Sequence, residues 1–133
     1  MWKGGLKDGR GTFSTDSGAI KGTAYSFTMR FESTPGTNPE ELIAAAEASC
    51  FSMAFSGELG KAGFAVESIE TRASLDFDKT EAGWTVKSIH LDTAAKVKGA
   101  DRAKVEAAAE VAKKNCPISR LLKTDITMSV RVL

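Results

Sequence analysis

The chain has 133 residues and a formal net charge of +1, with 42% hydrophobic and 26% charged residues. This is the size and composition of one soluble globular domain, 1–133, that needs neither metal nor disulfide staples to fold. The near balance of 18 Lys and Arg against 17 Asp and Glu excludes the basic stripe of a dedicated nucleic-acid binder. No run approaches the ~18 apolar residues of a membrane span.

The first 35 residues read as short strands joined by glycine turns. Gly9 and Gly11 bracket one turn, and Asp16-Ser17-Gly18 marks another. Residues 24–31 are β-prone, with Tyr25, Phe27, Met29 and Phe31 on one face and Ser26, Thr28, Arg30 and Glu32 on the other. A loop over 34–38 leads into Asn38-Pro39-Glu40-Glu41, which predicts a helix start: a capping Asn, a Pro in the first turn and Glu41 at the capping-box position. From 41 to about 59 the residues are mostly apolar, so this helix is expected to be buried on most sides. So buried a helix in so small a chain calls for a partner that covers part of it.

Residues 66–78 and 83–97 then read as two long strands of a hairpin. A second helix is predicted over 101–114, capped by Asp101 or by the glycine-containing turn before it, with Val105, Ala108, Ala109 and Ala112 as its apolar stripe. Asn115-Cys116-Pro117 breaks it, a short helical turn follows, and 124–132 is the last strand. The sum is an α+β domain.

Two cysteines, Cys50 and Cys116, and one histidine limit the chemistry. Neither cysteine belongs to a CxxC pair, and a four-ligand structural zinc site cannot be assembled from this set. His90 alternates with Ser88 and Asp92 and reads as an exposed strand residue without a catalytic role. Taken singly, each cysteine reads as buried packing, Arg30 as a solvated strand residue and Glu40 as a helix-terminus carboxylate. Glu47 reads as a solvent or interface residue, and Met29, Met53, Tyr25, Phe27 and Phe31 as core.

Two longer motifs change that balance. Gly36-Thr37-Asn38-Pro39-Glu40-Glu41-Leu42-Ile43, followed by Ala48-Ser49-Cys50-Phe51-Ser52-Met53-Ala54, resembles the OsmC/Ohr family of bacterial peroxidases. Asn115-Cys116-Pro117-Ile118-Ser119 is similar to that family's second-cysteine motif. Trp2, Gly11-Thr12 with Ser14-Thr15, and Phe27-Thr28-Met29-Arg30-Phe31-Glu32 point to its OsmC branch. The likeness spans essentially the whole chain. It implies an OsmC-like fold of antiparallel sheets around a buried central helix, assembled as an intertwined homodimer with active sites at the subunit interface. It also implies reduction of organic hydroperoxides without metal or organic cofactor, and recycling by a dithiol reductant of lipoyl type. By motif match Cys50 is the peroxidatic cysteine, Cys116 the resolving one, Arg30 the activating cation and Glu40 its carboxylate partner. One departure is Glu47, one turn before Cys50, where relatives often carry a neutral residue or histidine. An anion there raises the thiol pKa if it points inward.

The chemistry needs such partners. A thiol of ordinary pKa is only about 3% thiolate at pH 7, and a shift of about two units downward makes most of it nucleophilic. The helix N-terminus is too far from Cys50 to supply this, so a neighbouring cation must, and Arg30 is the best candidate. Ten helical residues separate Glu40 from Cys50, about 15 Å along the axis, so Glu40, with Arg30, is expected to serve the Cys50 of the partner subunit. A soluble, cytoplasmic enzyme is expected, since Met1-Trp2-Lys3-Gly4-Gly5 has no apolar signal core. The alternatives are a non-catalytic small-ligand or lipid-binding domain of the same fold, or a redox sensor.

Overall fold

The structure, a computed structural model, describes residues 1–99 and 101–133. In chain order the elements are β1 (Trp2–Lys3), β2 (Arg10–Phe13), β3 (Thr23–Ser26), α1 (Phe27–Phe31), α2 (Pro39–Lys61), β4 (Ala65–Thr80), β5 (Gly83–Lys98), α3 (Arg102–Asn115), α4 (Pro117–Leu121) and β6 (Asp125–Val132). Helices and sheets alternate as an α+β arrangement. Contacts divide the chain into two compact units, 1–42 and 43–133. No described helix is long and apolar enough to cross a membrane.

In the first unit β1, β2 and β3 form an antiparallel sheet. Gly11 lies inside β2, opposite both Trp2 and Tyr25, rather than at a turn. The rings of Trp2 and Tyr25 approach to 5.3 Å between centroids. A Cβ on Gly11 would collide with both, so the glycine is there for close approach. The strand expected over 24–31 stops at Ser26. The Ser26 hydroxyl accepts from Met29 N–H at 3.3 Å, turning the chain into α1. Phe27 and Phe31 then meet at i,i+4 with ring centroids 4.8 Å apart. The aromatic spacing fits a strand or a helix; the cap decides for the helix. At the start of α2 Asn38 Oδ1 accepts from Glu41 N–H at 2.8 Å, as its position predicts. Glu41 does not complete a capping box; its carboxylate accepts from Thr37 Oγ1 at 2.7 Å.

The second unit is built on a sheet of order β4-β5-β6. β4 and β5 form the expected hairpin, closed between Thr80 and Gly83, and Gly83 has φ 104, a conformation open to glycine. β6 runs parallel to β5, with Ser88 opposite Asp125 and Ala95 opposite Val132. This sheet is therefore mixed, because the α3–α4 crossover returns the chain to the end at which β5 began. Asp101 Oδ1 accepts from Lys104 N–H and caps α3; the preceding residue, Ala100, lies outside the described residues.

Phe51, Phe55 and Leu59 of α2, Ile89, Leu91, Ala95 and Val97 of β5, and the predicted Val105, Ala108, Ala109 and Ala112 stripe of α3 form one core. Burial of α2 on most sides is not observed: its buried residues are Glu47, Phe51, Phe55 and Leu59, a single i,i+4 stripe. Met53, expected in the core, is 75% exposed. Sheet and α3 can cover only one side of a helix, and Met53 lies off that side. Phe55 is fully buried against Phe51. Phe55→Ala is expected to lower unfolding free energy by about 3–5 kcal/mol, read by urea denaturation at fixed protein concentration.

Candidate active site

The chain break at Cys116 follows from its neighbour. Pro117 disfavours the α conformation in the residue before it, and Cys116 has φ -54 and ψ 125. It closes α3, donating its N–H to Ala112 O, and at once precedes α4, with Pro117 in the first turn. This corner carries a fully buried thiol. Cys50 projects from the middle of α2 and is half-buried. The two sulfurs, 66 residues apart in sequence, lie 2.8 Å from one another. Both are free thiols sharing one hydrogen bond.

A second polar pair lies one helical turn away. Glu47, three residues before Cys50, has no exposed surface. Ser119, three residues after Cys116, donates its hydroxyl to Glu47 Oε1 at 2.5 Å. Glu47 Oε2 has no hydrogen-bond partner among the described residues. The sequence-based expectation of a solvent or interface residue is therefore corrected: Glu47 points inward. On the other flank, Ser52 Oγ is 2.8 Å from Thr71 Oγ1, which is 2.9 Å from Thr93 Oγ1, so a chain of hydroxyls ties α2 to the sheet.

These surroundings push the Cys50 thiol up from its ordinary value. Burial contributes most, then the hydrogen bond with Cys116; a hydrogen bond from Ile118 N–H opposes them, and the charges of Cys116 and Glu47 add to the rise. Cys50 is thus a weaker thiolate former than a free cysteine in this setting, the opposite of what nucleophilic attack needs.

In the first unit Arg30, in the last turn of α1, meets Glu40, in the first turn of α2. Arg30 Nε donates to both carboxylate oxygens at 3.2 and 3.1 Å, and Nη2 donates to Oε1. The guanidinium also lies 5.0 Å from the Phe31 ring centre. Such a fork fixes the orientation of the cation. Arg30 lines an open, mainly aromatic cleft of about 200 Å³ with Trp2, Tyr25, Phe27 and Phe31. His90, on β5, is held by hydroxyls at both ring nitrogens, Thr127 and Ser129.

Two of the four sequence-predicted site residues, Cys50 and Cys116, thus meet in the second unit, and the other two, Arg30 and Glu40, pair in the first. Glu47 and Ser119 were not singled out as partners. Their signal was the matching spacing, three residues from a cysteine in each motif.

A helix-borne thiol facing a Cys-Pro thiol, on a sheet extended by a parallel last strand, defines a class of two-cysteine α+β proteins. Residues 31–131 match the sequence profile described as OsmC-like protein. The chain is 45% identical to "Peroxiredoxin OsmC" of Escherichia coli over 98% of its length and 92% of the relative's. It is 26% identical to "Organic hydroperoxide resistance protein OhrB" of Bacillus subtilis, over 92% and 88%. Among solved structures, an OsmC-like protein of Vibrio cholerae superposes with TM-score 0.75 at 23% identity, over 90% of this chain and 82% of that one. The Bacillus subtilis OhrB structure gives 0.69 at 22%, over 100% and 95%. This chain belongs to the OsmC-like protein family, and its fold is OsmC-like.

Proposed function

We propose that the chain is a thiol-dependent peroxidase that reduces organic hydroperoxides to alcohols. The observation that carries this reading is the 2.8 Å approach of Cys50 and Cys116; the names of its relatives support it. The Cys50 thiolate attacks the terminal peroxide oxygen, the O–O bond breaks, and the alkoxide leaves as alcohol after taking a proton. Cys50 is left as a sulfenic acid. Cys116 displaces its oxygen as water, giving a Cys50–Cys116 disulfide, and an external dithiol restores both thiols by exchange.

Burial, Cys116 and Glu47 raise the Cys50 thiol, so a cation must offset them. We assign this to Arg30, aimed by Glu40, acting on Cys50 across a homodimer interface. The aromatic residues beside Arg30 would take the apolar body of an organic hydroperoxide, favouring bulky peroxides over hydrogen peroxide. The face of α2 that bears exposed Met53 is the part of the helix that a second copy would cover.

The test mixes reduced protein with cumene hydroperoxide and excess dihydrolipoamide. Wild type is expected to consume many equivalents and Cys50→Ser none. Folded, fully reduced wild type that consumes no peroxide would overturn the reading in favour of ligand binding. One equivalent consumed without dithiol-driven turnover would make it a sensor.

A further inference from the structure

Glu47 is the one charged residue buried among the described residues, and the scheme above does not use it. A buried carboxyl group is costly unless its oxygens are satisfied or the site employs it. Ser119 satisfies Oε1; nothing among the described residues satisfies Oε2. The vacant acceptor therefore belongs to a residue one turn from Cys50, and its tether stands one turn from Cys116. The titratable groups gathered here are Cys50 from α2 and Cys116 from the α3–α4 corner, and Ser119 also lines a cleft with Glu110, Lys113, Lys114 and Arg120. The buried residues that β5 and α3 bring to the neighbouring core, such as Ile89, Leu91, Val105 and Ala109, carry no charge.

Resolution of an oxidised Cys50 needs two proton movements. The Cys116 thiol must lose its proton to become a nucleophile, and the group leaving Cys50 must gain one. Cys116 has no exposed surface, so a buried acceptor close by can take its proton without bulk water. We propose that Glu47 is that acceptor: its carboxylate takes the Cys116 proton as the sulfur attacks Cys50, and returns it to the departing hydroxide. This rests on the peroxidase reading, which supplies the sulfenic acid. The step is balanced. The Cys116 S–H and Cys50 S–O bonds break, the S–S bond forms, the S–O electron pair leaves with oxygen, and water is released. Glu47 ends as it began. Ser119 holds Oε1 and leaves Oε2 open for the transfer.

The test is a single turnover of the reduced full chain with limiting cumene hydroperoxide, quenched at intervals. Dimedone adduct and disulfide are read separately by intact mass. Glu47→Gln keeps an acceptor for Ser119 and the side-chain size but cannot carry the proton. Sulfenic acid is expected to form within about threefold of the wild-type rate, while disulfide formation slows about 100-fold. Its rate is also expected to lose the carboxylate limb of the wild-type pH profile. Glu47→Asp, with the carboxyl group kept, and Ser119→Ala, with only the tether removed, are expected to retain that limb. Wild-type rate and profile in Glu47→Gln overturn the proposal, and so does a slower rate with an unchanged profile, which is the mark of a tether alone.

A second arm replaces peroxide with oxidised glutathione. Cys50 forms a mixed disulfide, Cys116 attacks it, and glutathione thiolate leaves with the proton. If wild type forms no sulfenic acid but the second step in this arm depends on Glu47, the peroxidase reading fails and the Glu47 assignment stands. If sulfenic acid forms but neither arm depends on Glu47, the assignment alone fails.

Discussion

Cys116→Ser is expected to turn Cys50 into a stoichiometric peroxide trap that further peroxide inactivates. The variant should still react with the first equivalent of cumene hydroperoxide, because Cys50 keeps its place on α2. It should be somewhat more reactive, since Cys116 raises the Cys50 thiol through both its hydrogen bond and its charge. The sulfenic acid then has no neighbouring thiol. Dimedone should label it in full, where wild type, with the second sulfur 2.8 Å away, escapes into a disulfide and takes little label. Excess peroxide should carry the variant to the sulfinic acid, which a dithiol does not reduce. Intact mass and residual activity after a peroxide pulse measure both. Persistent disulfide-protected behaviour in Cys116→Ser would show that another thiol, from a second molecule, resolves Cys50.

What the sequence made legible divides along the range of the forces involved. The start of α2 could be read because capping is local: Asn38 and Pro39 act within one turn, although Glu41 turns its carboxylate to Thr37 instead of closing a capping box. The α3 stripe could be read because Val105, Ala108, Ala109 and Ala112 repeat with helical period and bury together. The hairpin was legible from its two long strand patterns and a short turn. Residues 27–31 were not, since apolar residues at 27, 29 and 31 satisfy period two while the aromatic pair 27 and 31 also satisfies i,i+4. A single hydroxyl, that of Ser26, breaks the tie. The direction of β6 was hidden because parallel pairing depends on the route of the crossover, not on the strand's own alternation. Glu47 was misread for the same reason. Its partner Ser119 lies 72 residues away, and no local pattern announces a charge buried by so distant a contact. The cysteines were assigned from their motifs; only the fold brings their sulfurs together.

Arg30→Met is expected to slow the reaction of Cys50 with organic hydroperoxide by about 10²-fold, the usual cost of removing one oriented donor from a developing oxyanion. Methionine keeps an unbranched apolar stem beside Phe31 and deletes the charge. Two effects should separate in the pH dependence. The thiolate is the nucleophile, and the groups around Cys50 raise its thiol, so reactivity increases with pH up to the thiol's midpoint. A cation near the sulfur moves that midpoint down; without it, the midpoint in Arg30→Met should move up. Iodoacetamide alkylation of Cys50 against pH reads this shift without peroxide. The deficit that persists at high pH, where both proteins are thiolate, then measures help given to the leaving alkoxide. Glu40→Gln should show a smaller form of the same pattern, because Glu40 orients the guanidinium through three contacts but does not carry the charge. An unchanged alkylation midpoint together with an unchanged peroxide rate in Arg30→Met would remove the Arg30–Glu40 pair from the mechanism. A mixed dimer carrying Arg30→Met in one copy and Cys50→Ser in the other then tests the route across the interface. If Arg30 serves its own chain's Cys50, the lone reactive thiol faces a methionine and stays slow. If it serves the other copy's, that thiol meets an intact arginine and runs at full rate per site.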